Sequence, residues 1–87
     1  MLVFQLICKE LSSFTLEDMV AREGFNYVLS RAHVRENTVV LTIAVSDEHE
    51  GRMVHVLGKN LWLVEDWSVH ECADGAVLAR YLLRDVK

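Results

Sequence analysis

The chain reads as an α+β domain: a small antiparallel sheet with its helices on one face. Three observations predict this. A hairpin pattern is centred on Glu36-Asn37, two stretches with helical apolar spacing are punctuated by glycine, and strand-like apolar runs lie near each end, at 1–8 and 61–70. In chain order they give strand, helix, strand, strand, helix, strand and a closing helix. The first six match the βαββαβ arrangement of ferredoxin-like domains, with a C-terminal helix added. If 47–58 and 75–86 are strands instead, the alternative is a curved, mostly-β meander with one helix. Architecture of this kind carries no function by itself.

Residues 1–8 place Leu2, Phe4, Leu6 and Cys8 on one side and Val3, Gln5 and Ile7 on the other, as in a strand buried on both faces. No basic segment precedes this run and no small-residue cleavage site follows, so a strand is expected rather than a signal peptide. In LSSFTLEDMVAREG, Thr15 and Asp18 resemble a capping box, with a start as early as Ser12 also compatible. Leu16, Met19 and Val20 follow helical spacing, and Gly24 sits where a left-handed cap ends a helix.

The segment 25–46 is the clearest. A two-residue turn at Glu36-Asn37 sets Arg35 opposite Thr38 and pairs Val34/Val39, Ala32/Leu41, Ser30/Ile43 and Val28/Val45 on a hydrocarbon face. The other face then carries Tyr27, Leu29, Arg31, His33, Val40 and Thr42. A slip by one residue would set Arg31 opposite Leu41 and His33 opposite Val39, so pattern argues for the first register. Residues 47–60 are expected to be helical, with acidic residues in the first turn and Met53, Val54, Val56 and Leu57 as the apolar stripe. LWLVEDWSVH is a strand, with a bulge or an end at Glu65-Asp66. DGAVLARYLLRDVK carries a stripe of Val77, Leu78, Tyr81 and Leu82 and predicts the closing helix, with a hairpin across 73–75 competing.

A chain of 87 residues forms one domain, 1–87, with no repeat, linker or proline to divide it. The hydrophobic fraction of 52% compensates for the small volume of such a domain, by a dense core or by apolar surface hidden against a partner. Charged residues make up only 25%, which excludes disorder, and no apolar run approaches the roughly 20 residues of a membrane span. The formal charge of −4 argues against nucleic acid and against anionic membrane as partners. Cys8 and Cys72 form no staple framework, so reduced thiols and a cytoplasmic setting are expected.

The search for chemistry ends with few candidates. There is no C-x-x-C, no H-E-x-x-H and no glycine-rich phosphate loop, and no metal or cofactor is expected. Cys8 lies in an apolar strand, where burial makes a thiol inert, and Cys72 beside His70 and Glu71 is a thin nucleophile candidate. Glu65 and Asp66 near Trp62 and Trp67 are adjacent on a strand and point to opposite faces, which suits no acid–base pair. Two functions lead, with metal binding through His70, Cys72 and the run Asp47, Glu48, His49 and Glu50 as a weaker third. The first is a non-enzymatic interaction or regulatory accessory module that binds itself, as a homodimer, or another protein. Its contact is an open sheet face bearing Tyr27, Leu29, Arg31, His33, Val40 and Thr42. The second is a small-ligand-binding protein or enzyme with a pocket near Trp62, Trp67, His70 and Cys72.

Overall fold

A computed structural model describes residues 1–71. The closing helix expected over 75–86 and residue Cys72 lie outside the described residues. The chain runs β1 (Leu2–Lys9), α1 (Glu10–Arg22), β2 (Tyr27–Arg35), β3 (Thr38–Val45), a 3₁₀ turn (Asp47–His49), α2 (Glu50–Lys59), a second 3₁₀ turn (Leu61–Leu63) and β4 (Val64–Glu71). The strands form one sheet in the order β2-β3-β1-β4, with every neighbouring pair antiparallel. β1 and β2 therefore run parallel with β3 between them. This is the split βαβ unit, and the fold is the ferredoxin-like βαββαβ.

Alternation along the strands sorts the side chains. Leu2, Phe4, Leu6 and Cys8 of β1 and Val39, Leu41, Ile43 and Val45 of β3 share one face. There they meet Leu16 and Val20 of α1, Met53, Val56 and Leu57 of α2, and Phe25, forming the core. Each fully buried aliphatic side chain contributes roughly 1.5–3 kcal/mol of hydrophobic stabilisation. A second group of buried residues, Val3, Ala32, Thr38, Thr42 and Ala44, is not part of that cluster. It belongs to the sheet face turned away from both helices.

Three local expectations need correcting. First, α1 does not begin at Thr15 or Ser12 but at Glu10, directly after β1. Lys9 is the N-cap and supplies no side-chain bond, while the Glu10 amide donates to the Asn37 carbonyl at the hairpin tip, 3.1 Å away. Thr15 and Asp18 sit inside the helix, where Asp18 pairs with Arg22 at 2.9 Å, one turn on. The stop is as expected: Gly24 adopts φ +79°, a left-handed conformation that costs glycine nothing.

Second, the hairpin register is the one pattern argued against. Arg35 does face Thr38, and Asn37 takes φ 60° as the turn requires. A bulge at Val34 then shifts the ladder, so His33 faces Val39, Arg31 faces Leu41, Leu29 faces Ile43 and Tyr27 faces Val45. The shift gives the core Tyr27 and Leu29 in place of Val28 and Ser30, a gain in apolar volume. Arg31 is accommodated because α1 holds its guanidinium.

Third, the helix expected over 47–60 is observed as a 3₁₀ turn at Asp47–His49 followed by α2 at Glu50–Lys59, which runs through Gly58, a residue whose type signals a helix stop. At Glu65 a bulge does occur, because Ile7 pairs with Asp66 and Cys8 with Val64. It lies at the start of β4, not at its end.

Candidate interaction surface between α2 and the β4 edge

The six residues expected to share a contact face are divided by the register. Tyr27 and Leu29 pack against the core, and Arg31 and His33 lie on the same, helix-covered side. Val40 and Thr42, opposite Ile7 and Gln5, are on the reverse, where Thr42 is fully buried. The bulge at Val34 is the physical reason, since it exchanges the two faces of β2 relative to the expected pairing.

Arg31 is held rather than offered. Its Nε donates to Ser13 Oγ at 2.8 Å, its Nη2 to Glu17 Oε2 at 2.8 Å, and its guanidinium lies 4.3 Å above the centre of the Phe14 ring. Ser13 is buried and donates in turn to the Glu10 carbonyl. The group ties α1 to the β2 edge, with charge-assisted bonds and a cation–π contact replacing water. His33 stands more openly, 3.4 Å from Glu10. Beneath them, burial pushes the Cys8 thiol above its ordinary pKa; Arg31 opposes the shift and Glu65 adds to it. Such a thiol is a packing group, not a nucleophile.

At the opposite edge of the sheet, on the same helix-covered side, α2 leaves a gap. Phe4, Val54, Leu57, Gly58, Leu61 and Trp67 line a groove of about 140 Å³ between α2 and β4. The sequence builds it simply. Trp67 is opposite Leu6 and Val69 opposite Phe4, so both project from β4 on the helix side. Val54 flanks the buried stripe Met53–Val56–Leu57, and Leu61 follows in the 3₁₀ turn. Asn60, buried, donates to the Val56 carbonyl at 2.7 Å and ends α2 so that this turn folds back toward the strand.

The second set expected from the sequence is likewise split. Trp67 lines the groove, while Trp62 is 80% exposed in the 3₁₀ turn. His70 pairs with Val3 on the reverse face, where its Nε2 is 3.0 Å from Ser68 Oγ. Cys72 lies outside the described residues. Sequence reasoning missed Phe4, Val54, Leu57, Leu61 and Val69. The available signal was the run Leu61-Trp62-Leu63 ahead of an edge strand with a further tryptophan, more apolar surface than one side of an edge strand can bury. Among the described residues, no cluster of three or more His, Cys, Asp or Glu side chains is placed to hold a metal ion. No helix among them is long and apolar enough to cross a membrane.

Fold and surface together define a ferredoxin-like α+β domain with, among the described residues, an apolar groove between α2 and the β4 edge. Among solved structures the chain is similar to the C-terminal domain of the MgtC protein from Mycobacterium tuberculosis. The TM-score is 0.62 over 79% of this chain and 83% of that one, at 6% sequence identity. A likeness at that identity is one of fold, and it agrees with the βαββαβ topology. No protein-family model and no curated protein matches the chain.

Proposed function

We propose that the chain is a non-enzymatic interaction module that binds another protein through the α2–β4 surface. One observation carries the reading. Val54, Leu61, Trp62, Trp67 and Val69 are 40–80% exposed, and three of them rim or line one groove. Scattered apolar residues on a surface need no explanation, but exposed Val54, Leu61 and Trp67 gathered on one groove mark an interface. This relocates the contact from the open sheet face expected from the sequence. On that face Val3, Thr42 and Ala44 are at most 2% exposed, so they offer little to a second copy. A small-ligand site or active site is less well supported. The groove volume lies below the ~300–1,000 Å³ of ordinary ligand pockets, and none of its lining side chains can donate or accept a proton in catalysis. The buried free thiol of Cys8 fits a reducing compartment and supports a cytoplasmic setting.

Site-specific photocrosslinking tests this directly. p-Benzoylphenylalanine at Leu61 of the full chain, irradiated in its native cells, should give a discrete covalent adduct with another protein. The same group at Asp18, on the exposed side of α1, should give none. Equal labelling from both positions, or none from Leu61, would remove the proposal.

A further inference from the structure

The two edges of the sheet are finished differently. Along β2 the Arg31 clamp draws α1 down to the strand, and Arg31, His33 and Arg35 place positive or protonatable groups there. Cationic side chains and bulges are the usual means of keeping a foreign strand from adding to an edge. Along β4 the helix stops short. Val64–Glu71 contains no lysine, arginine or proline, and from Asp66 onward its pairing with β1 is regular. Among the described residues β4 has no neighbour on its outer side.

We infer that an extended segment of a partner protein, with apolar residues alternating with basic ones, adds to the sheet beside β4. This rests on the interaction reading above and specifies its occupant. Strand addition uses backbone groups for affinity and alternate side chains for selectivity. Residues of the added strand on the helix side lie beside Trp67 and Val69 and drop into the groove against Phe4, Leu57 and Leu61. Those on the reverse lie beside Asp66 and Ser68. The charge of the host strand selects the guest. Glu65, Asp66 and Glu71 are all acidic. Among the described residues, Glu65 is already engaged by Arg35 at 2.9 Å and Lys9 at 3.7 Å, whereas the Asp66 carboxylate accepts from the Trp67 amide beside it and meets no cation. A second β4 would add three more acidic residues to the seam and no lysine or arginine, so the complement is a basic strand and not another copy of this one.

The test uses the full chain and a nine-residue probe, (Lys-Val)4-Lys, followed by calorimetry and by Trp67 emission in a Trp62→Phe background. Four control peptides accompany it: Lys and Val in the same numbers but arranged in blocks, (Glu-Val)4-Glu, and two analogues N-methylated at alternate residues in opposite phases. The alternating basic peptide should bind with a blue shift of Trp67, and the block and acidic peptides at least tenfold more weakly. The two methylated analogues should differ from each other by at least tenfold, because only one phase removes amides that face β4. Trp67→Arg should abolish binding. Equal affinity of both methylated analogues would exclude strand addition. Equal affinity of the acidic or block peptide would exclude the charge and alternation rule. Absence of binding would overturn the inference, and if the chain then sediments as a dimer a second copy holds the edge instead. A specific adduct from Leu61 would leave the broader interaction reading standing in each of these cases.

Discussion

Arg31 shows how a single residue can overrule a pattern. On hydropathy alone it belongs outside, yet it sits opposite Leu41 with its side chain 20% exposed. Its aliphatic stem covers apolar surface and only the guanidinium reaches α1, where Ser13, Glu17 and Phe14 receive it. Glu17 is 34% exposed, so solvent screens the pair and the ionic part is modest. Geometry is what a lysine cannot copy: one flat group serves two acceptors and a ring. Arg31→Lys should therefore lower unfolding free energy by about 1–2 kcal/mol in urea titration. A double-mutant cycle with Glu17→Gln should show coupling of about 0.5–1 kcal/mol, and additivity within error would mean that the clamp is ornamental. None of these partners could be read from β2, because they lie 14–18 positions away on another element.

At the scale of elements, legibility followed the strength of the local signal. The turn at Glu36-Asn37, the stop at Gly24, the buried stripe of α2 and the bulge at Glu65 were all visible, because each depends on neighbours in sequence. The start of α1 was not, because its first amide is satisfied from the hairpin and leaves no side-chain mark at Lys9. The register of β2 was misjudged because polarity alone cannot weigh Tyr27 and Leu29 against Val28 and Ser30. The bulge at Val34 makes a distinctive prediction. Deleting Val34 closes the gap between His33/Val39 and Arg35/Thr38 without moving any side chain across the sheet. That variant should keep its circular dichroism and lose about 1 kcal/mol or less. Deleting Ser30 would reverse Tyr27 and Leu29 relative to the core and should unfold the chain. Comparable stability for the two deletions would contradict the observed pairing.

For the whole molecule, the described residues give the sheet one border clamped by Arg31 and one, β4, without a described neighbour, and the candidate surface follows from that difference. The groove was only half legible. The tryptophans were conspicuous, but which of them would meet Phe4, Val54 and Leu61 depends on strand order, and no single segment encodes strand order. The contact at the tip of the hairpin carries a further consequence, for the route by which the chain folds. Without a capping side chain, the first helix has little to nucleate it until the carbonyl of Asn37 arrives from 27 positions downstream. A fragment spanning 1–24 should be largely coil in far-ultraviolet circular dichroism, and extension to residue 46 should bring the helix signal with it. The N-terminal helix thus waits on a later part of the chain, so during synthesis its residues leave the ribosome before the atom that starts them winding.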